Sequence, residues 1–221
     1  MRLIKERMRD QRGNMTVFVL TIFFFFSLVM FTLLFNMSTV FVDKEVAANS
    51  AQQASLGATQ IVYEEAEKAI RAYDASITRL INPVYIWPQV ESAEMSLRSA
   101  HPSWSDSEIM YNAIDQVLSA NLPSNAELHW YVRQYMWFAE DKIRSTVGSI
   151  LSSNGAIRSG SRVKMFNSEQ RIEVRTSVRY ESENFGLDFL SNHRDEIEQT
   201  AEGRRIRFAE VLGWTDVHLS L

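Results

Sequence analysis

The rhythm of hydrophobic and polar positions changes along the chain, and each change marks a different kind of element. From Gly13 to Val42 no side chain is charged, and the run Phe23, Phe24, Phe25, Phe26 is followed by Leu28, Val29, Met30, Phe31, Leu33, Leu34 and Phe35. About 20 apolar residues, each rising about 1.5 Å, cross a hydrocarbon layer of about 30 Å. The hydroxyls within the block, Thr16, Thr21, Ser27 and Thr32, can bond back to their own helix. A cleavable secretory signal has an apolar region of only about 7 to 15 residues. The pattern therefore predicts a transmembrane helix over 14–42.

Beyond it, Ala47, Ala51, Ala54, Ala58, Val62, Ala66, Ala69, Tyr73, Ile77 and Leu80 recur at steps of three and four, which places them on one face of one helix. This exported helix is expected over 43–82, continuous with the membrane span. It should end at Asn82-Pro83, because proline disfavours helical geometry in the residue before it. The first half of the stripe is small. Ala47, Ala51, Ala54 and Ala58, with Val62, form a candidate helix-packing interface through which another subunit can approach closely. Alanine is also a good helix former in a solvated stalk, and both readings stand at this point. The bulkier second half suits packing onto the chain's own domain.

The remaining segment, 83–221, reads as an exported α+β domain. After a connection bearing Pro83, Pro88 and Pro102, the pairs Ser105/Glu108 and Ser124/Glu127 resemble capping boxes. They predict helices from about Asp106 to Ala120 and from about Asn125 to Ser152, with Trp130 and Trp137 expected in the core. From Gly160 the period falls to two. Ile172, Val174, Thr176, Val178 and Tyr180 alternate with Arg171, Glu173, Arg175, Ser177 and Arg179, as in a strand with one buried face. Arg162 to Phe166 is expected to pair with it across Asn167 to Gln170, and Arg204 to Phe208 to add a third strand, giving a small antiparallel sheet. Arg171, Arg175 and Arg179 would then share a solvated outer face.

Charge sets the expected orientation. Arg2, Lys5, Arg7, Arg9 and Arg12 precede the apolar block against only Glu6 and Asp10, so 1–13 reads as a basic cytoplasmic arm and everything after about Val42 as extracytoplasmic. The net charge of -4 gives no general attraction to nucleic acid. The absence of cysteine removes disulfides, thiolate catalysis and cysteine-held metals. His101, His129, His193 and His218 are isolated, and Ser161/Lys164 matches a Ser-x-x-Lys spacing only at the start of a strand pattern, where no helix brings amine onto hydroxyl. Glu64, Glu65 and Glu67 read as a solvated helix surface. No catalytic residue, cofactor, metal or small-molecule substrate is indicated; the expected partners are the lipid bilayer and other protein subunits.

Arg12-Gly13, the uncharged apolar helix and the stretch Ala47-Ala48-Asn49-Ser50-Ala51-Gln52-Gln53-Ala54-Ser55-Leu56-Gly57-Ala58 together resemble the TadE/TadG-like proteins of tight-adherence (Flp-type) pilus assembly. Val178-Arg179-Tyr180, Gly186-Leu187-Asp188-Phe189-Leu190 and Thr200-Ala201-Glu202-Gly203 look like that family's terminal hairpin and its return strand. The resemblance implies a pilin-like fold and a non-enzymatic, membrane-held minor pilin or accessory subunit that packs with other pilus-assembly subunits or with itself. Some relatives are cut by a prepilin peptidase after a glycine following a basic leader, which corresponds here to the bond between Gly13 and Asn14. Those processed relatives usually carry glutamate at the fifth mature position, where this sequence has Phe18, so the resemblance favours an uncleaved accessory role. The competing expectation is a stalked extracytoplasmic binding or sensor module acting through a partner membrane protein.

Overall fold

A computed structural model describes residues 11–185 and 193–221, with side chains from Met15 onward. Helix α1 spans Gln11–Asp74 and a 3-10 turn spans Ile77–Leu80. Helices α2 (Trp87–Ala100), α3 (Asp106–Asn121) and α4 (Ala126–Ser153) follow, then strands β1 (Ile157–Met165), β2 (Glu173–Glu181) and β3 (Arg194–Glu202), helix α5 (Arg207–Leu212) and strand β4 (Val217–Ser220). The fold is α+β with one four-stranded antiparallel sheet, in the order β3-β2-β1-β4. The chain divides into two compact units, Met1–Asp43 with Arg179–Glu196, and Lys44–Val178 with Ile197–Leu221.

In the larger unit the inward face of α1 runs Ala47, Ala54, Ala58, Val62, Ala66, Ala69 and Tyr73, all part of one core. Its direct neighbour is α4, which runs the opposite way. Gln53 faces Asn154, Gly57 faces Ile150, and Glu65 faces Lys142: four residues forward on one helix match four back on the other, then eight match eight. Small residues allow this approach. A Cβ at Gly57 would lie 2.8 Å from Ile150 Cδ1.

Helix α1 stops at Asp74 rather than at Asn82, and Ile77 and Leu80, expected on the stripe, are exposed. The cause is Asp74 itself. Its carboxylate accepts the backbone N–H of Ile86 at 2.8 Å and of Trp87 at 2.7 Å, satisfying the free amides that open α2. Helix α2 occupies the segment expected as a proline-bearing connection; Pro88 stands in its first turn, where a missing N–H costs nothing. Ser105 caps α3 as anticipated, accepting from Glu108 N. Helix α4 is capped instead by Asn125, which accepts from Leu128 N at 3.0 Å. Glu127 turns away from the expected capping box to pair with the buried Arg79.

The β1–β2 hairpin has Val163 opposite Val174 and Lys164 opposite Glu173. Asn167 builds its turn, its Oδ1 accepting from Glu169 N and Arg171 N. A bulge interrupts the register between Ile157 and Arg162, around Gly160 at φ 89°, a backbone geometry that favours glycine. Ile172 just before β2 and Val174, Thr176, Val178 and Tyr180 within it are buried as anticipated, with Ser177 buried as well. The Arg face is partly neutralised, Arg175 pairing with Glu198 and Arg171 with Glu169. The edge strand β3 carries Arg194, Asp195, Glu196, Glu198 and Glu202, all exposed. Arg204 to Phe208 does not form the third strand; it turns into α5, because Ile206 N bonds Gln170 O and Arg207 N bonds Asp115 Oδ1.

Gly203 seats this turn against α1. A methyl group there would collide with the Thr59 hydroxyl and come within 3.2 Å of the Ser55 carbonyl. Gly203→Ala is expected to lower stability by about 1–3 kcal/mol, measured by thermal unfolding of the detergent-solubilised chain. Adding Thr59→Ala should recover part of that loss.

Candidate assembly surfaces

Most large side chains of the apolar part of α1 are exposed among the described residues. Val17, Phe18, Leu20, Phe23, Phe24, Phe26, Met30, Leu33 and Leu34 are all exposed. A helix that is hydrophobic all round is at home in a protein core or in lipid. This is the helix, among the described residues, long and apolar enough to cross a membrane. Two of its hydroxyls are satisfied by their own helix: Thr21 donates to Val17 O at 2.8 Å and Thr32 to Leu28 O at 3.0 Å. Within the same unit the turn after β2 meets the helix. Asn36 donates from Nδ2 to Glu183 O and accepts at Oδ1 from Glu183 N, both at 2.8 Å, and the Phe185 ring lies 5.2 Å from that of Phe35 and 6.1 Å from that of Phe31. For the candidate processing site, Gly13 and Asn14 fall in the first turn of α1, and their side chains lie outside the described residues.

The small-residue stripe lies elsewhere than on a surface. Ala47, Ala51, Ala54, Ala58 and Val62 are each 0% exposed. Beside them Gly57 meets Ile150 of α4. Trp130 and Trp137 go the other way. Expected in the core, they are 57% and 66% exposed, because the buried face of α4 is Leu128, Val132, Met136, Ala139 and Ile143 and both indoles fall to its side. With Arg133, Gln134 and Trp214 they line a shallow groove, and their periodicity was legible in the sequence although its side was not.

Polar groups inside the larger unit serve to position its elements. Tyr63 stacks on Tyr111 at 4.2 Å between ring centroids and donates to Asp115 Oδ2 at 2.8 Å. Arg204 lies over both rings and reaches the same carboxylate oxygen. Burial pushes the Asp115 carboxyl above its ordinary value, against the opposing pull of the Tyr63 hydroxyl and Arg204. Burial, then the Asp115 carboxylate, pushes the Tyr63 phenol up as well. Glu65, expected on a solvated surface, is buried and accepts from Lys142 at 2.7 Å and Lys68 at 2.6 Å. Ser161 and Lys164 are not brought together: Ser161 Oγ bonds Ile157 O and Thr176 Oγ1, while Lys164 pairs with Asp216. Among the described residues, no three His, Asp or Glu side chains converge as a metal site would require.

Two outcomes test these placements. Ala54→Leu should destabilise the dilute, unpartnered chain by about 1–3 kcal/mol through overpacking, as read by chemical denaturation; a surface stripe would leave that stability unchanged. For Glu65, burial pushes the carboxyl up but the two ammonium groups outweigh it, so the folded value lies below the ordinary 4.5. Its stabilising contribution is therefore complete above pH 4.5 and lost as pH falls through the lower folded value. The stability gap between wild type and Glu65→Gln, about 1–2 kcal/mol at neutral pH, should close on acidification below pH 4.5.

A family model described as putative Flp pilus-assembly TadE/G-like matches residues 13–60. No curated protein and no solved structure matches the chain. The matched segment holds the apolar helix and the start of the buried stripe, and over residues 13–60 the chain is similar to the putative Flp pilus-assembly TadE/G-like family.

Proposed function

We propose that this protein is a membrane-anchored, non-enzymatic accessory subunit of a Tad/Flp-type pilus assembly system, with its N-terminal arm cytoplasmic and its α+β domain extracytoplasmic. The observation that carries the reading is the coincidence of the family match at 13–60 with a helix whose large side chains face outward from Met15 to Val42. The basic residues before that helix support the orientation. With Ala47 to Val62 occupied by the chain's own core, helix packing with other subunits falls to the exposed apolar face, through side chains such as Phe24, Leu34 and Met37. Van der Waals packing drives such association in lipid. Phe18 at the fifth position after Gly13 supports retention of the arm and permanent anchoring.

The exposed groove of Trp130, Trp137, Trp214 and Arg133 favours one further element in either this reading or that of a stalked binding module. Tryptophan and arginine are the residues most enriched where one protein grips another.

In-cell photocross-linking from Leu34 tests the proposal. The expected products are pilus-assembly subunits or a second copy of this chain, identified by mass spectrometry, and a probe at the buried Ala54 should give far less intermolecular product. Capture from Leu34 of a sensor kinase or transporter would replace the pilus reading with the binding-module reading.

A further inference from the structure

The apolar block of α1 from Met15 to Phe35 is long enough to fill the hydrocarbon layer, which sets Asn36 at its outer boundary. An asparagine there is poorly placed unless its amide is satisfied. Both of its hydrogen-bonding atoms are met by one residue, Glu183, whose N–H and C=O it pairs in the manner of a neighbouring strand. The turn after β2 is thereby fixed at a set height on the helix. Phe185 follows with φ 49°, a left-handed geometry that is strained for a bulky residue. Its ring packs against those of both Phe31 and Phe35. The three rings are nevertheless open on their outer side, at 60%, 42% and 51% exposed for Phe31, Phe35 and Phe185. Phe31 and Phe35 belong to the apolar span, and Phe185 joins them by ring contact. Beside them the charged residues Glu181 and Arg194 pair with each other.

We infer that the turn carrying Glu183 and Phe185 is a second membrane-contacting element, in which Asn36 seats the turn and Phe185 enters the lipid at the interface between headgroups and acyl chains. The inference rests on α1 being the membrane anchor. Lipid is the occupant because the exposed rings are continuous with the apolar face of the span. The charges on the preceding and following strands fit the headgroup level, and an aromatic ring is favoured at the boundary between them.

The chain contains no cysteine, so single cysteines can be placed at will. Phe185→Cys, Met30→Cys and Ser103→Cys, each carrying a nitroxide, are to be reconstituted in phosphatidylcholine–phosphatidylglycerol vesicles and examined by power-saturation electron paramagnetic resonance. Met30 reports the span and Ser103 reports water. At Phe185 the label should be several-fold less accessible to a water-soluble nickel chelate than at Ser103, while remaining open to oxygen as at Met30. In the Phe185→Cys chain, Asn36→Ala should restore much of the nickel access by unseating the turn. A Phe185 label as nickel-accessible as Ser103, with Met30 still in lipid, would overturn the inference alone. Shielding of Phe185 from both reagents would overturn it in favour of a protein cover, and unchanged values in the Asn36→Ala chain would remove the seating role. A water-accessible Met30 label would instead overturn the anchor reading on which the inference stands.

Discussion

The larger unit depends on how near α1 and α4 can come to each other. Helix axes approach closely only where the side chains between them are small, and Ala54, Gly57 and Ala58 remove bulk from the α1 side where it faces α4. Ile150 then reaches nearly to the α1 backbone. Once that pair is set, the sheet and α3 have fixed surfaces to pack on. The second half of the same face, with Tyr63, Ile70 and Tyr73, is bulky because it meets several elements at once. The gradation from alanine to tyrosine along one helical face records a change from a helix–helix seam to a multi-element core.

Polar contacts then fix which elements meet that face and in what register. Asp115 on α3 accepts from Tyr63 on α1 and from the backbone of Arg207 at the start of α5, so one carboxylate ties three parts of the chain distant in sequence. Asp74 ties the end of α1 to the start of α2, and Asn167 ties the hairpin turn to Glu202 on β3. These groups are buried or partly buried and hydrogen-bonded, the condition under which polar groups specify a fold rather than weaken it.

The parts legible in the sequence were those carried by a local repeat. The apolar block, the stripe from Ala47 to Tyr73, the spans of α3 and α4 and the alternation of β2 follow from periods of 3.6 and 2, which depend only on neighbours along the chain. What was misread depends on groups far away. Helix α2 takes its cap from Asp74, twelve and thirteen positions before the amides it serves, and Pro88 looks like a breaker unless the helix start is known. The Trp130 and Trp137 repeat shows which helix they occupy but not which side another element covers. Glu65 reads as solvated until Lys142 from α4 is brought onto it. Arg204 to Phe208 has strand-like alternation, and only the hydrogen bonds its backbone donates to Gln170 and Asp115 turn it away from the sheet. The stripe from Ala47 to Val62 is buried within the chain as folded, and which element covers it is tertiary information no periodicity contains.

The charged outer strand of the sheet narrows how such a molecule can be joined to others. Many extracellular fibres grow by lending a strand to the open edge of the next subunit, where the incoming backbone completes the ladder. Here that edge is β3, whose exposed acidic and basic side chains, four carboxylates and Arg194, would have to be stripped of water and brought against a visiting chain. At the opposite edge, β4 offers only the four residues Val217–Ser220. An incoming strand would meet charge at one edge and a short strand at the other, the devices by which sheets resist edge-to-edge pairing.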